Sequence, residues 1–135
     1  MARYEAWINR AKGSLKLSKI VITFGVDDGY YYEDLCCQTQ QAVEKALKGF
    51  LIYFDVEPEF THNIETLINK LEKFTEVPEH IKEATNLTKY AVLTRYPGEY
   101  EEVTKEKYEQ AVNIAQECLE WVENRIEENE NAKTK

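Results

Sequence analysis

Gln41, Lys45 and Lys48 are spaced four and three residues apart, so on a helix they share one face. A carboxamide and two ammonium groups in that row offer donors to an anion. Two further positions carry matching chemistry. His62 stands at a helix entrance in Thr61-His62-Asn63, and Arg95-Tyr96 precedes Pro97-Gly98. Brought beside the lysines, an imidazole, a guanidinium and a phenol ring would suit a phosphate group and a stacked base. A plainer explanation stands next to this one. Glu44 precedes Lys48 by four residues, with the acid N-terminal, as in an ordinary surface salt bridge. Lys45 and Lys48 would then be solvated, Arg95 and Tyr96 would lock a turn onto the helix, and His62 would be structural.

Other chemistry finds less support. There is no phosphate-binding Gly-rich loop, no HExxH and no nucleophile elbow. Asp27, Asp28, Glu33 and Asp34 cluster, but without the alternating ligands of a calcium loop. Capping and the dipole of a following helix explain them more simply than a metal. Cys36, Cys37 and Cys118 show neither CxxC nor zinc spacing, and they read as reduced core residues. No metal and no cofactor is expected. His80, on an E-H-I-K background, reads as a surface residue.

The whole chain bounds these options. Its 135 residues make one domain, 43% hydrophobic and 31% charged, with five Gly and three Pro. No apolar run is long enough to span a bilayer, and the N-terminus carries charges where a signal peptide needs an apolar stretch. The expected location is the cytoplasm, with no membrane contact. A net charge of −8 argues against a protein built mainly to grip nucleic acid. Residues 1–20 depart from that average, setting Arg3, Arg10, Lys12, Lys16 and Lys19 against Glu5 alone. This stripe could face a phosphate, though a solvated face paired with acidic neighbours explains it as well.

The elements that must position the candidates follow from periodicity. Between Glu33 and Phe54 the positions 35, 36, 39, 42, 43, 46, 47, 50, 51 and 54 form one broad helix face. At about 1.5 Å per residue that helix is roughly 33 Å long and can serve as the centre of a small domain. Before it, residues 2–22 predict a first helix with Tyr4, Ile8, Ala11, Leu15, Ser18 and Ile22 on one face, weakened at Gly13. Asp27 or Asp28 is placed to cap the central helix. After it, Thr61 or Asn63 caps a third helix with Ile64, Leu67, Ile68, Leu71 and Phe74 inward. Pro78 opens a fourth, marked by Ile81, Ala84, Leu87 and Ala91 and ending near Thr94, before a type II turn at residues 96–99. Thr104 caps the last, whose stripe runs from Tyr108 to Ile126. The prediction is an all-α, antiparallel up-and-down bundle of four to five helices over residues 1–128. Residues 129–135 are expected to form a disordered polar tail.

Three segments in this order carry a family resemblance. Cys36-Cys37-Gln38-Thr39-Gln40-Gln41-Ala42-Val43-Glu44-Lys45-Ala46-Leu47-Lys48 is similar to the second helix of HEPN (higher eukaryotes and prokaryotes nucleotide-binding) domains. Thr61-His62-Asn63-Ile64 resembles the Thr-His-Asp-Leu entry to their third helix, and Thr94-Arg95-Tyr96-Pro97-Gly98 resembles their Ser-Arg-Tyr-Pro segment. With the helix layout, the resemblance spans residues 1 to about 126.

The resemblance implies a small helical bundle that forms homodimers. In bacteria such domains are often encoded beside a minimal nucleotidyltransferase, in toxin–antitoxin-like pairs. Many act as ribonucleases through an Arg, four to six intervening residues and a His. Here the arginines stand at 3, 10, 95 and 125, neither His62 nor His80 follows one at that distance, and no histidine follows Arg95. Without that imidazole the usual general base is missing, which argues against an enzyme and assigns no catalytic residue. The reading is a non-enzymatic protein that binds a nucleotide through Gln41, Lys45, Lys48, His62, Arg95 and Tyr96, or pairs with a nucleotidyltransferase; RNA is a weaker candidate ligand. The alternatives are a diverged ribonuclease using His62, Arg95 and Tyr96, and a purely structural dimerisation bundle.

Overall fold

The computed structural model describes residues 1–25, 28–93 and 102–134. Its elements are α1 (Arg3–Ser18), α2 (Ile20–Phe24), α3 (Tyr32–Tyr53), α4 (Ile64–Leu71), α5 (Glu79–Lys82), a 3-10 segment (Glu83–Leu87), α6 (Tyr90–Leu93) and α7 (Lys105–Lys133). No strand occurs among the described residues. The architecture is the expected all-α bundle, with more helices among the described residues than four or five.

The predicted central helix is α3. It is packed by α1, α4, α6 and α7, and Ala42, Val43, Ala46, Leu47, Phe50 and Leu51 have no exposed surface. Apolar side chains thus point from α3 towards several neighbours, as a helix at the middle of a bundle requires. Gly49 sets the approach of α1. A Cβ there would lie 3.0 Å from Trp7 Cβ, 3.1 Å from Ile8 Cδ1 and 3.2 Å from the Tyr4 carbonyl oxygen.

Two predicted helices are broken. The first ends at Ser18, whose hydroxyl donates to the Leu15 carbonyl at 2.6 Å. The Ser18 carbonyl in turn accepts the buried Tyr108 hydroxyl at 2.5 Å. Such local bonding bends a helix. Past the break, Ile22 is 48% exposed rather than inward, and Gly25 closes α2 in the left-handed region at φ 67°. The predicted fourth helix is α5, the 3-10 segment and α6 in series. Its buried residues are Ile81, Ala84, Leu87 and Tyr90, every third position, which is the period of a 3-10 helix. Tyr90, not Ala91, completes that stripe.

The caps sort the predicted candidates. Asn63 accepts from the Thr66 N–H at 3.2 Å and caps α4, while Thr61 Oγ1 accepts from the Asn63 N–H at 3.1 Å. Thr104 caps α7 through the Lys107 N–H at 3.1 Å. Asp28 does not cap α3, which starts after Tyr31 with no side-chain cap; Asp27 lies outside the described residues. Glu33 and Asp34 stand in its first turn, where they favour the helix dipole. Phe74 lies beyond the end of α4, 45% exposed, and stacks on Phe54 at 5.2 Å.

Cys36 and Cys118 are buried and Cys37 half-buried, all as free thiols, and burial pushes the Cys36 and Cys118 thiols up to about 12. The polar end is helical through Lys133, where Glu130 accepts from Tyr53 Oη at 2.6 Å and from Lys133 at 3.0 Å. No helix among the described residues is long and apolar enough to cross a membrane.

Candidate functional site

Gln40, Glu44 and Lys48 follow one another at intervals of four along α3, so their side chains form a ladder on one face. Glu44 is its centre. Glu44 Oε1 accepts from Gln40 Nε2 at 3.0 Å and lies 2.8 Å from His62 Nδ1, while Oε2 accepts from Lys48 Nζ at 3.0 Å. Gln40 Nε2 also donates to the His62 carbonyl at 3.2 Å, tying the approach to α4 back onto α3. The side chains of Glu44 and Lys48 are 11% and 8% exposed. Lys48 Nζ stands 6.0 Å from the centroid of the Trp7 ring on α1.

A buried carboxylate is costly unless its lone pairs are met. Burial pushes the Glu44 carboxyl up, but the hydrogen bonds from Gln40, His62 and Lys48 outweigh it and hold Glu44 below the usual carboxylate range. An ionised carboxylate can only accept, so the His62 proton facing it must be on Nδ1. His62 itself is 60% exposed. Its other nitrogen, Nε2, has no partner among the described residues. The result is an imidazole at the surface whose orientation and tautomer are set by a buried acid beneath it.

Among the described residues, the predicted Gln41, Lys45, Lys48 and His62 do not form one open face. Lys48 is turned into the Glu44 network. Lys45 donates to Ser14 Oγ on α1 at 2.8 Å and is half-buried. Gln41, also half-buried, reaches Cys37 Sγ at 3.7 Å. His62 joins the network through Glu44. Arg95 and Tyr96 lie outside the described residues, as does the turn at residues 96–99. Gln40 and Glu44, not among the expected site residues, are the groups that hold His62 and Lys48 here. Their signal was present in the interval 40, 44, 48, but Glu44 read there as a surface partner of Lys48.

Chemically, this arrangement offers one directed group. Neutral, the ring presents Nε2 as an acceptor or base. Protonated, it presents an N–H donor, with the Glu44 carboxylate 2.8 Å from the other ring nitrogen. The protonated form can donate to a phosphate oxygen, and the neutral form can accept from a donor on a base edge.

A model of the HEPN domain matches residues 4–125. An archaeal HEPN homologue, ST0689, is 32% identical, with a TM-score of 0.70, over 93% of this chain and 99% of its own. TT1696 from Thermus thermophilus is 30% identical, with a TM-score of 0.77, over 92% of this chain and 98% of its own. No curated protein matches the chain.

Proposed function

The chain belongs to the HEPN domain family, and from that premise we propose that it is a nucleotide-binding helical module acting by association. It works as a homodimer and presents its ligand to a minimal nucleotidyltransferase, which supplies the metal and the catalytic carboxylates. The observation that carries this reading is the Glu44–His62 pair, with the acid buried and the ring exposed. With the ring protonated, Nε2–H is a charge-assisted donor to a phosphate oxygen. Lys48 is engaged elsewhere, so His62 is the residue on which binding turns. Phe24 and Tyr31, 72% and 66% exposed, supply apolar surface for a second copy.

The test is thermal stability with ATP, GTP, AMP and short RNA, each with and without Mg²⁺. A ligand at a hundredfold excess over its dissociation constant adds roughly 2.7 kcal/mol. A shift with one nucleotide, abolished by His62→Ala, supports the reading. No shift with any of them sinks it.

One observation favours a second reading, a diverged HEPN ribonuclease. A carboxylate that orients an imidazole is what a general base requires. Against it stands the missing Arg-x4-6-His motif. RNA cleavage that disappears in His62→Ala would select this reading over the first.

A further inference from the structure

A cleft of about 650 Å³ opens where the start of α1, the end of α3 and the last turns of α7 meet. From Glu44 to Tyr53 is roughly 14 Å along α3, so this cleft stands apart from His62 and the inference rests on neither that residue nor a nucleotide. Its wall is a pair of tyrosines. Tyr4 meets Tyr53 edge-on, with ring centroids 5.1 Å apart at 81°.

The open face of Tyr53 is already occupied by a cation of the chain itself. Lys133 Nζ stands 5.0 Å from the Tyr53 ring centroid and 3.0 Å from Glu130 Oε1. The same Glu130 oxygen accepts the Tyr53 hydroxyl at 2.6 Å, which fixes ring and carboxylate together. An aromatic face with a carboxylate at its rim is a seat for an alkylammonium group. Lys133 holds that seat loosely. It is on the last turn of α7, its side chain is 66% exposed and that of Glu130 48% exposed, and exposed ion pairs add little.

The rest of the cleft favours a second positive charge. Asp55 lines it, exposed, at φ 61°, and no side chain among the described residues bonds to its carboxylate. Glu57 is held by Arg3 through two bonds of 2.7 Å. With Lys133 withdrawn, three acids line the cleft against one arginine.

We propose that this cleft binds a polyamine, an alkyl chain with ammonium groups at both ends. One end takes the Tyr53–Glu130 seat and the other lies at Asp55; Lys133 is the displaceable stand-in for the first.

Titration calorimetry with spermidine and putrescine at fixed ionic strength tests this, with Mg²⁺ as the control for general attraction to a chain of net charge −8. Lys133→Met should tighten spermidine binding about fivefold, because the site is no longer self-occupied. Lys16→Met, an equal loss of charge on exposed α1 surface, should leave it unchanged. Glu130→Gln and Tyr53→Leu should each weaken it severalfold; Glu130→Gln alters an exposed residue and leaves the fold intact. Absence of spermidine binding in both the native chain and Lys133→Met overturns the proposal. So does equal tightening by Lys16→Met, or binding indifferent to Glu130→Gln.

Discussion

Lys48 Nζ lies 3.0 Å from Glu44 Oε2 with both side chains almost out of solvent, so this i,i+4 pair is a buried ion pair and not a surface one. Removing one member leaves the other charged and unmatched, which costs about 3–5 kcal/mol. Urea denaturation of Glu44→Ala should show a loss of that size. The double variant Glu44→Ala, Lys48→Met removes both charges and should recover much of it. A double variant as unstable as the single one would show that the pair's packing, not its charge, is what matters.

The pH dependence follows from the same carboxylate. Glu44 titrates below the usual carboxylate range in the folded chain, because the bonds from Gln40, His62 and Lys48 outweigh its burial. A carboxyl whose folded pKa is depressed contributes stability above its unfolded value, near 4.3, and loses it as pH falls through the folded value. Lys48→Met takes away a lowering contact and leaves the burial. Its acid unfolding midpoint should therefore move to higher pH than that of the native chain. Equal midpoints would mean that the ammonium does not stabilise the ionised carboxyl.

Gly49 and Gly13 should respond in opposite directions to alanine. Both sit inside helices, where Ala is favoured over Gly by about 1 kcal/mol. At Gly13 an added Cβ meets nothing within 4 Å, so Gly13→Ala should raise the denaturation midpoint. At Gly49 the same atom meets Trp7 Cβ at 3.0 Å and the Tyr4 carbonyl at 3.2 Å, neither of which is the end of a flexible side chain. Overpacking of this kind costs about 1–3 kcal/mol, so Gly49→Ala should lower the midpoint. A gain at both positions would show that α1 can move away from α3.

The proposed dimer makes a separate prediction. Light scattering at micromolar concentration should give the mass of two chains, and replacing the exposed Phe24 by a charged residue should shift the chain towards monomer. A clean monomer for the native chain sinks the association.

What the sequence made legible, and what it did not, follows from the range of the forces involved. The α3 stripe, the caps at Asn63 and Thr104 and the α7 stripe are local patterns of period and capping, so they could be read directly. At the break, the Ser18 carbonyl accepts from Tyr108, which is distant in sequence and leaves no local pattern. The 3-10 segment was hidden because positions 81, 84 and 87 fit the three-residue step of either helix type. The same limit acted at the candidate site. Spacing put Lys45 and Lys48 on one face, but the burial of Lys48 depends on α1 and Trp7 covering that part of α3. His62 was singled out from its place at a helix entrance. Its partner Glu44 was not, because their contact bridges 18 positions in the chain.

His62 is the position where binding and folding should separate. Its side chain is 60% exposed, and Glu44 keeps its bonds from Gln40 and Lys48 when the ring is removed. The bond from Gln40 to the residue 62 carbonyl belongs to the backbone and also survives. His62→Ala should therefore cost about 1–2 kcal/mol, the low end for a hydrogen bond to a charged group, and less than the loss of Glu44 itself. If the proposed nucleotide binding holds, its thermal shift should disappear in the same variant, because no other group in the network faces outward. A large loss of stability with the shift retained would make the ring a structural strut and move ligand recognition elsewhere. A small loss with the shift abolished would leave His62 as the ligand's point of contact, with Glu44 as the residue that aims it.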